Sequence, residues 1–169
     1  MGFKLIITLL GYIFLYYKSF KKHKGIKLLY VTVLYFYVCL ILNLTIIPDN
    51  LALKSTWKSF SLPWPPKDSL RPYYDFSLNR EGSLIDIILN VLMMIPFGYL
   101  LAKIKKSNVV KVVIITLLFS ISIELTQLLM SKVFINHRFF DVTDIINNTI
   151  GGLIGYIIYK LVLKTRTRF

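Results

Sequence analysis

The sequence predicts an all-α, polytopic integral membrane helix bundle with about five transmembrane helices, the N-terminus outside and the C-terminus inside. Three observations lead to this fold class. The 169 residues are 56% hydrophobic with a mean hydropathy of +0.64, which is too apolar for a soluble domain of this length. The apolar residues gather into five stretches, and the charged residues that separate these stretches are divided unequally between the two sides. Little room is left for a separate soluble domain.

The first two predicted spans occupy residues 1–47. The apolar stretch at residues 5–17 reaches the minimum length of a span, about 17 residues, only if its helix starts at Met1 and Lys4 extends toward the surface. A signal peptide is the alternative, but no small-x-small cleavage pattern follows, so a retained helix is favoured. The second stretch, residues 28–47, is long enough without adjustment. Its Cys39 is the single cysteine of the chain, which excludes an internal disulfide.

Residues 48–83 are predicted to form a long extracytoplasmic loop. The segment is rich in proline and aromatic residues, among them Trp64, Pro72, Tyr73 and Tyr74, and it shows no helical period. Two interpretations stay open: a cap over the outer face of the bundle, or a connector whose Trp and Tyr side chains anchor it among lipid headgroups.

Residues 84–163 are predicted to form a three-helix core. Its apolar stretches cover residues 84–102, 112–130 and 145–163, each close to the length that a bilayer requires. A basic cytoplasmic tail, residues 164–169, follows the last of them.

The charges orient the predicted bundle. Thirteen basic and no acidic residues fall in the connections after the first and third stretches and at the end of the fifth, so the positive-inside rule places these regions in the cytoplasm. The eight acidic residues fall toward the other side: Asp49, Asp68, Asp75, Glu81, Asp86, Glu124, Asp141 and Asp144. Topology and attraction to anionic lipid heads account for the basic clusters. A net charge of +13 that is dispersed between apolar runs argues against nucleic-acid binding.

Polar side chains recur in the outer halves of the three core spans. Asp86 and Asn90 are four residues apart, and Ser120, Glu124 and Gln127 follow one stripe, so each set shares a helical face. An ionisable group in hydrocarbon is costly, which requires these faces to contact protein. The predicted ligand-binding residues are Asp86, Asn90, Glu124, Gln127, Arg138, Asp141, Asp144, Asn147 and Asn148.

We expect the carboxylates of Asp86, Glu124 and Asp144 to converge in one cavity that opens to the outside. The alternative is that the polar residues only bond each other across helices. Several acids with few compensating bases favour a site, because unmatched carboxylates need protons, water, a metal or a cationic ligand. Oxygen ligands of this kind would suit magnesium or calcium, but we assign no metal site and expect no cofactor.

Proline and glycine residues are predicted to shape the helix contacts. Pro96 should kink the third span near Leu92, because it removes a backbone donor. Gly151 and Gly155 form a small-xxx-small pair that serves either an internal helix contact or a homodimer. The predicted helix-packing residues are Pro96, Gly98, Gly151, Gly152 and Gly155.

Three motifs occur in order along residues 84–160: NVLMMIPFGYLL from Asn90, SIELTQ ending at Gln127, and RFFDVTDIINNTIGGLIGY from Arg138. This set resembles the VanZ-like family of bacterial membrane proteins. The resemblance implies a small multi-pass protein of the bacterial cytoplasmic membrane, linked to low-level resistance to the lipoglycopeptide teicoplanin. It implies no catalytic residues. The positions that match the family pattern are Asn90, Pro96, Gly98, Glu124, Gln127, Arg138, Asp141, Asp144, Asn147 and Gly151.

Three functions fit these expectations. The first is a protein that binds or shields a lipid-linked cell-wall precursor or the lipoglycopeptide itself, with the bilayer as its other partner. The second is an intramembrane enzyme that modifies an outer-leaflet lipid or wall precursor, with Asp86, Glu124 and Asp144 as candidate acids and bases. The third is a small ion- or proton-coupled carrier, disfavoured because no acid or base lies in the cytoplasmic half of any span.

Overall fold

The computed structural model of the chain describes residues 2–46, 65–133 and 140–166. Every regular element in these ranges is helical, which confirms the all-α prediction for the described part of the chain. The helices are α1 (Gly2–Lys18), α2 (Ile26–Thr45), α3 (Tyr74–Ser77), α4 (Ser83–Lys105), α5 (Val109–Val133) and α6 (Val142–Arg166), with 3-10 turns at Phe20–Lys22 and Asp68–Leu70.

Four described helices are long and apolar enough to cross a membrane: Ile26–Thr45, Ser83–Lys105, Val109–Ser131 and Val142–Thr165. They correspond to the second to fifth predicted spans, so the chain has the helices of a multi-pass membrane protein. The first predicted span is the helix α1, whose 17 residues lie at the lower limit for a crossing. The fifth crossing therefore stays a prediction.

The helix α4 lies at the centre of the described bundle. It packs most extensively against α6 and also against α2, while α5 packs mainly on α6. The connection from α4 to α5 is short. Lys106 ends α4 in a left-handed conformation with φ 47°. Asn108 then caps α5, and its Oδ1 accepts the Lys111 N–H at 3.0 Å. The helix α1 folds back on α2, where the Tyr35 hydroxyl donates to the carbonyl of Thr8 at 2.8 Å.

Glycines bring the backbones of α4 and α6 into direct contact. A β-carbon at Gly98 would collide with the carbonyl oxygen of Gly152, and one at Gly155 would collide with that of Ile95. Gly151 meets the backbone of Val91 in the same way. These glycines thus hold two helices together over about two turns of α4, from Val91 to Gly98, as the small-xxx-small pattern indicates.

This contact also answers the question left open for Gly151 and Gly155. Both residues are buried, and α4 of the same chain packs directly against both of them. The internal contact is therefore the role that the structure shows. A homodimer stays a prediction, and it would need another surface.

Pro96 lies inside α4, which continues past it to Lys105. The proline leaves the carbonyl of Leu92 without its helical donor. In the same turn, the Tyr37 hydroxyl of α2 donates to the carbonyl of Met93 at 2.7 Å. The kink near Leu92 stays a prediction.

A layer of apolar side chains fills the middle of the bundle. Met94 and Phe97 of α4 are buried, and the ring of Phe97 stacks on that of Phe119 with their centroids 4.7 Å apart. Outward-facing side chains are apolar as well, since Leu92, Leu118 and Leu161 are each more than half exposed. Surfaces of this kind suit lipid and would be a liability in water.

We expect Gly155→Ala to destabilise the bundle by about 1–3 kcal/mol, the usual cost of overpacking, because the new methyl group meets backbone that cannot move aside. The measurement is the apparent melting temperature of the detergent-solubilised protein by size exclusion. Gly11→Ala is the matched control. Its methyl group would meet only the end of the Tyr35 side chain, whose oxygen lies 2.6 Å away and can shift. Equal losses in the two variants would contradict the assignment.

Candidate functional site

A cavity of about 830 Å³ opens at the end of the bundle where α4 and α6 begin and α2 and α5 end. Its walls come from these four helices and from the segment that precedes α4. Of the described residues, six acidic and two basic ones line it, namely Asp68, Arg71, Asp75, Arg80, Glu81, Asp86, Asp141 and Asp144. The described part of the lining therefore carries a net negative charge.

The predicted polar faces of α4 and α6 meet in this cavity. The side-chain amide of Asn90 donates to Oδ1 of Asp144 at 2.6 Å, which ties the two helices together above their glycine contact. Asp86 lines the same cavity one turn before Asn90 and is exposed. No described residue donates a hydrogen bond to its carboxylate.

Glu124 does not line the cavity, in contrast to the expectation that its carboxylate opens there with those of Asp86 and Asp144. Its side chain is 1% exposed, and Oε2 accepts the backbone N–H of Asp141 at 2.8 Å. The carboxylate thus lies behind the wall and fixes the chain where α6 begins. The helical face was predicted from spacing, but spacing carries no information about which backbone the face would meet.

Asp141 caps the first turn of α6. Its Oδ1 accepts the N–H of Thr143 at 2.7 Å, the usual bond of an N-cap residue. A carboxylate is favoured there because the helix dipole is positive at this end. The same residue lines the cavity, so Asp141 combines a structural bond with a place in the site.

Gln127 of α5 also lines the cavity and joins it to α2. Its side-chain amide donates to the carbonyl of Thr45 at 2.8 Å, close to the end of α2. A carbonyl in the last turn of a helix lacks a helical partner. Gln127 supplies that partner from a neighbouring helix.

Asn147 and Asn148 are buried below the cavity. The amide of Asn148 donates to the Ser120 hydroxyl of α5 at 2.8 Å, and the Asn147 oxygen accepts from the Tyr73 hydroxyl at 3.1 Å. Asn147 Nδ2 and Asn148 Oδ1 have no hydrogen-bond partner among the described residues. Buried polar atoms without a partner are uncommon, so these two retain the capacity to bond a further group.

Tyr73 connects the segment before α4 to the site, which sequence reasoning did not foresee. Its backbone N–H donates to Thr143 Oγ1 at 2.9 Å, and its hydroxyl reaches Asn147. The residue has φ 58°, a left-handed conformation that costs energy for a non-glycine residue and that these bonds stabilise. The described part of the segment thus packs over this end of the bundle as a cap would, and an anchor among lipid headgroups stays a prediction. Thr143 itself had a signal, since it stands between Asp141 and Asp144.

Parts of the predicted site lie outside the described residues. Arg138 is one of them, and residues 48–64 of the predicted outer loop, which include Asp49 and Trp64, also lie outside the described ranges. Within residues 2–46, 65–133 and 140–166, no three acidic, histidine or cysteine side chains come together in a way that could hold a metal ion.

A family model described as VanZ/LLP1 matches residues 5–163, nearly the whole chain. The chain belongs to the VanZ/LLP1 family. The resemblance inferred from residues 84–160 is thereby confirmed, and the match extends to α1 and α2, which the sequence motifs did not cover. Comparisons with curated proteins and with solved structures gave no match.

In this VanZ/LLP1 protein we expect Tyr73→Phe to loosen the cap without unfolding the bundle. The change removes one hydrogen bond, worth about 1 kcal/mol, which corresponds to roughly fivefold faster amide exchange in the residues around α3. Hydrogen–deuterium exchange by mass spectrometry measures it. Tyr74→Phe is the control, because no described residue bonds the hydroxyl of Tyr74. Similar exchange in both variants would show that the Tyr73 hydroxyl does not hold the cap.

Proposed function

We propose that this VanZ/LLP1 protein resides in the bacterial cytoplasmic membrane and binds the polar head of an amphiphile in the cavity described above. The amphiphile is a lipid-linked envelope component or a lipoglycopeptide of the teicoplanin type. Binding would shield the envelope target or sequester the drug, and so contribute to resistance.

The observation that carries this proposal is the mixed character of the cavity wall. Asp86 and Asn90 lie beside Ile87, Leu89 and Met93 in the same lining. Leu89 is 55% exposed and faces outward from the bundle, where a bilayer would supply acyl chains. A ligand with a polar head and an apolar tail would contact the polar and the apolar residues of this wall at the same time.

The acidic lining narrows the class of head that fits. Arg80 already pairs with Asp75 at 2.9 Å, and both side chains are about half exposed. With six acidic residues against two basic ones in its described lining, the cavity favours amino and hydroxyl groups over an uncompensated phosphate. Hydrogen-bond donors on sugars, amides or amines are the groups that carboxylates bind best.

The existing bonds of three of the carboxylates favour binding over acid–base catalysis. Asp144 accepts from Asn90, Asp141 caps α6, and Glu124 holds a backbone N–H. A general acid or base needs a proton that it can exchange with a substrate. These carboxylates instead accept hydrogen bonds that hold the helices in place.

The cavity faces outward in this proposal because the opposite end of the bundle carries the basic residues. Lysines cluster where α4 ends and α2 and α5 begin, while the acids gather at the other end of α4. The positive-inside rule then places the lysines in the cytoplasm and the cavity outside.

We therefore expect Ser77→Cys, in a Cys39→Ser background, to react with a membrane-impermeant maleimide in intact cells. Lys106→Cys in the same background should react only after permeabilisation. The two positions are both exposed, so accessibility to reagent differs by membrane side alone. The reverse pattern would overturn the orientation. An N-terminal tag accessible from outside would show in addition that α1 crosses the membrane.

We expect Asp86→Asn and Asp144→Asn each to weaken binding of fluorescently labelled teicoplanin to the protein in nanodiscs by about tenfold, the loss of one charge-assisted hydrogen bond. Asparagine preserves an oxygen that can accept from Asn90, so the fold should persist. Drug susceptibility of cells that carry these variants should rise in parallel.

Two controls make this test specific. Asp86→Glu retains the charge and should bind nearly as well as the wild type. Teicoplanin without its acyl chain should bind weakly to every variant if the apolar wall contributes. Unchanged binding and susceptibility in Asp86→Asn and Asp144→Asn proteins that insert normally would reject the cavity as the site.

A further inference from the structure

A second cavity, of about 1150 Å³, lies at the opposite end of α4 from the first. Three helices contribute lysines to its lining, and no acidic residue in the described ranges does so. The charged and titratable lining residues are His23, Lys27, Lys103, Lys105, Lys106 and Lys111. Five ammonium groups thus surround one space, and the described part of the chain places no compensating carboxylate there.

Two of these lysines lie where a helix disfavours positive charge. Lys27 is in the first turn of α2 and Lys111 is in the first turn of α5, and neither turn contains an acid. The dipole of each helix is positive at its start, so cations there are repelled and anions are attracted. The N-cap of α2, Gly25, provides no side-chain hydrogen bond. An anion between the two helix starts would meet both lysines and both dipoles.

Lys103 is held inside this cavity by aromatic rings. Its Nζ lies 5.6 Å from the ring centroid of Tyr30 and 5.9 Å from that of Tyr159. The side chain is half-buried, and no described carboxylate pairs with it. Cation–π contacts position an ammonium group without neutralising it. Lys103 can therefore still bind an anion.

Apolar residues complete the lining and lead toward the lipid-facing surface. Ile26, Ile104 and Ile115 line the cavity together with the lysines. Beyond them, Leu29 of α2 and Leu118 of α5 are exposed on the sides of the bundle. The cavity thus presents cations at its head and hydrocarbon at its edge, which a free anion would not require.

We propose that this basic cavity binds the phosphate headgroup of an anionic phospholipid, with the acyl chains lying along α2 and α5. A free phosphate or diphosphate shares the chemistry that the lysines recognise, but it would make no use of the apolar edge. Basic pockets between spanning helices at the cytoplasmic side are a recurrent form of lipid recognition. The site is separate from the outer cavity and does not depend on what that cavity binds.

The test is native mass spectrometry of the full chain in detergent, titrated with cardiolipin or phosphatidylglycerol and compared with phosphatidylcholine. The cavity variant combines Lys27→Gln, Lys103→Gln and Lys111→Gln. The matched control combines Lys21→Gln, Lys22→Gln and Lys24→Gln, which removes the same charge from exposed lysines that do not line the cavity. We expect the cavity variant to lose at least about tenfold in affinity for the anionic lipids and the control to change by less than about twofold.

A second variant guards against misfolding. Lys27→Glu with Lys111→Glu places acids in two first turns, which should favour the helices while repelling phosphate. Cardiolipin should raise the melting temperature of the wild type and leave that of this variant unchanged. Inorganic pyrophosphate tests whether a free anion is enough for binding, and we expect it to displace little bound cardiolipin. Equal losses in the cavity and control variants, no loss in either, or pyrophosphate binding as tight as that of cardiolipin would each overturn the proposal.

Discussion

The backbone contact between α4 and α6 is the constraint on which the rest of this structure depends. Gly98 against Gly152 and Gly155 against Ile95 bring the two helices closer than side chains would allow. In lipid, where no hydrophobic force draws helices together, close packing and interhelical hydrogen bonds supply the attraction. The hydrogen bond between Asn90 and Asp144 forms just above this contact, at 2.6 Å. The polar site thus exists because the glycines below it fix the distance between its walls.

The charges of the protein are divided between the two ends of α4. An acidic cavity lies where the helix begins, and a basic one lies where it ends. Between them, Met94 and Phe97 are buried in an apolar layer, and Phe97 stacks on Phe119. A carrier would need ionisable groups that continue through this layer. The two cavities are instead separate, one at each end of α4.

Much of the fold was predictable from the sequence because length and hydropathy identify each core span. The stretch at residues 84–102 became α4, and the spacing of Gly151 and Gly155 predicted a close helix contact that the structure shows. The site was predictable only in part. Helical spacing predicts the face on which Glu124 lies. It does not predict that the backbone N–H of Asp141 would donate to the carboxylate on that face. The contacts of Tyr73 could not be predicted because its segment shows no helical period. The basic cavity could not be predicted because the positive-inside rule explains lysines at that end without saying how they are arranged.

The carboxylates at this end of the bundle differ in how far the fold depends on them. Their substitutions should therefore differ in how much they affect folding and how much they affect binding. Glu124 is buried and holds the backbone at the start of α6, so its loss would disturb the helix itself. Asp144 accepts from Asn90 and also lines the cavity. Asp86 lines the cavity, is exposed, and accepts no hydrogen bond from a described residue. A carboxylate with little structural role at the mouth of a membrane cavity retains its full capacity for a ligand. Of Glu124, Asp144 and Asp86, Asp86 is accordingly the one whose substitution reports on binding with the least contribution from folding.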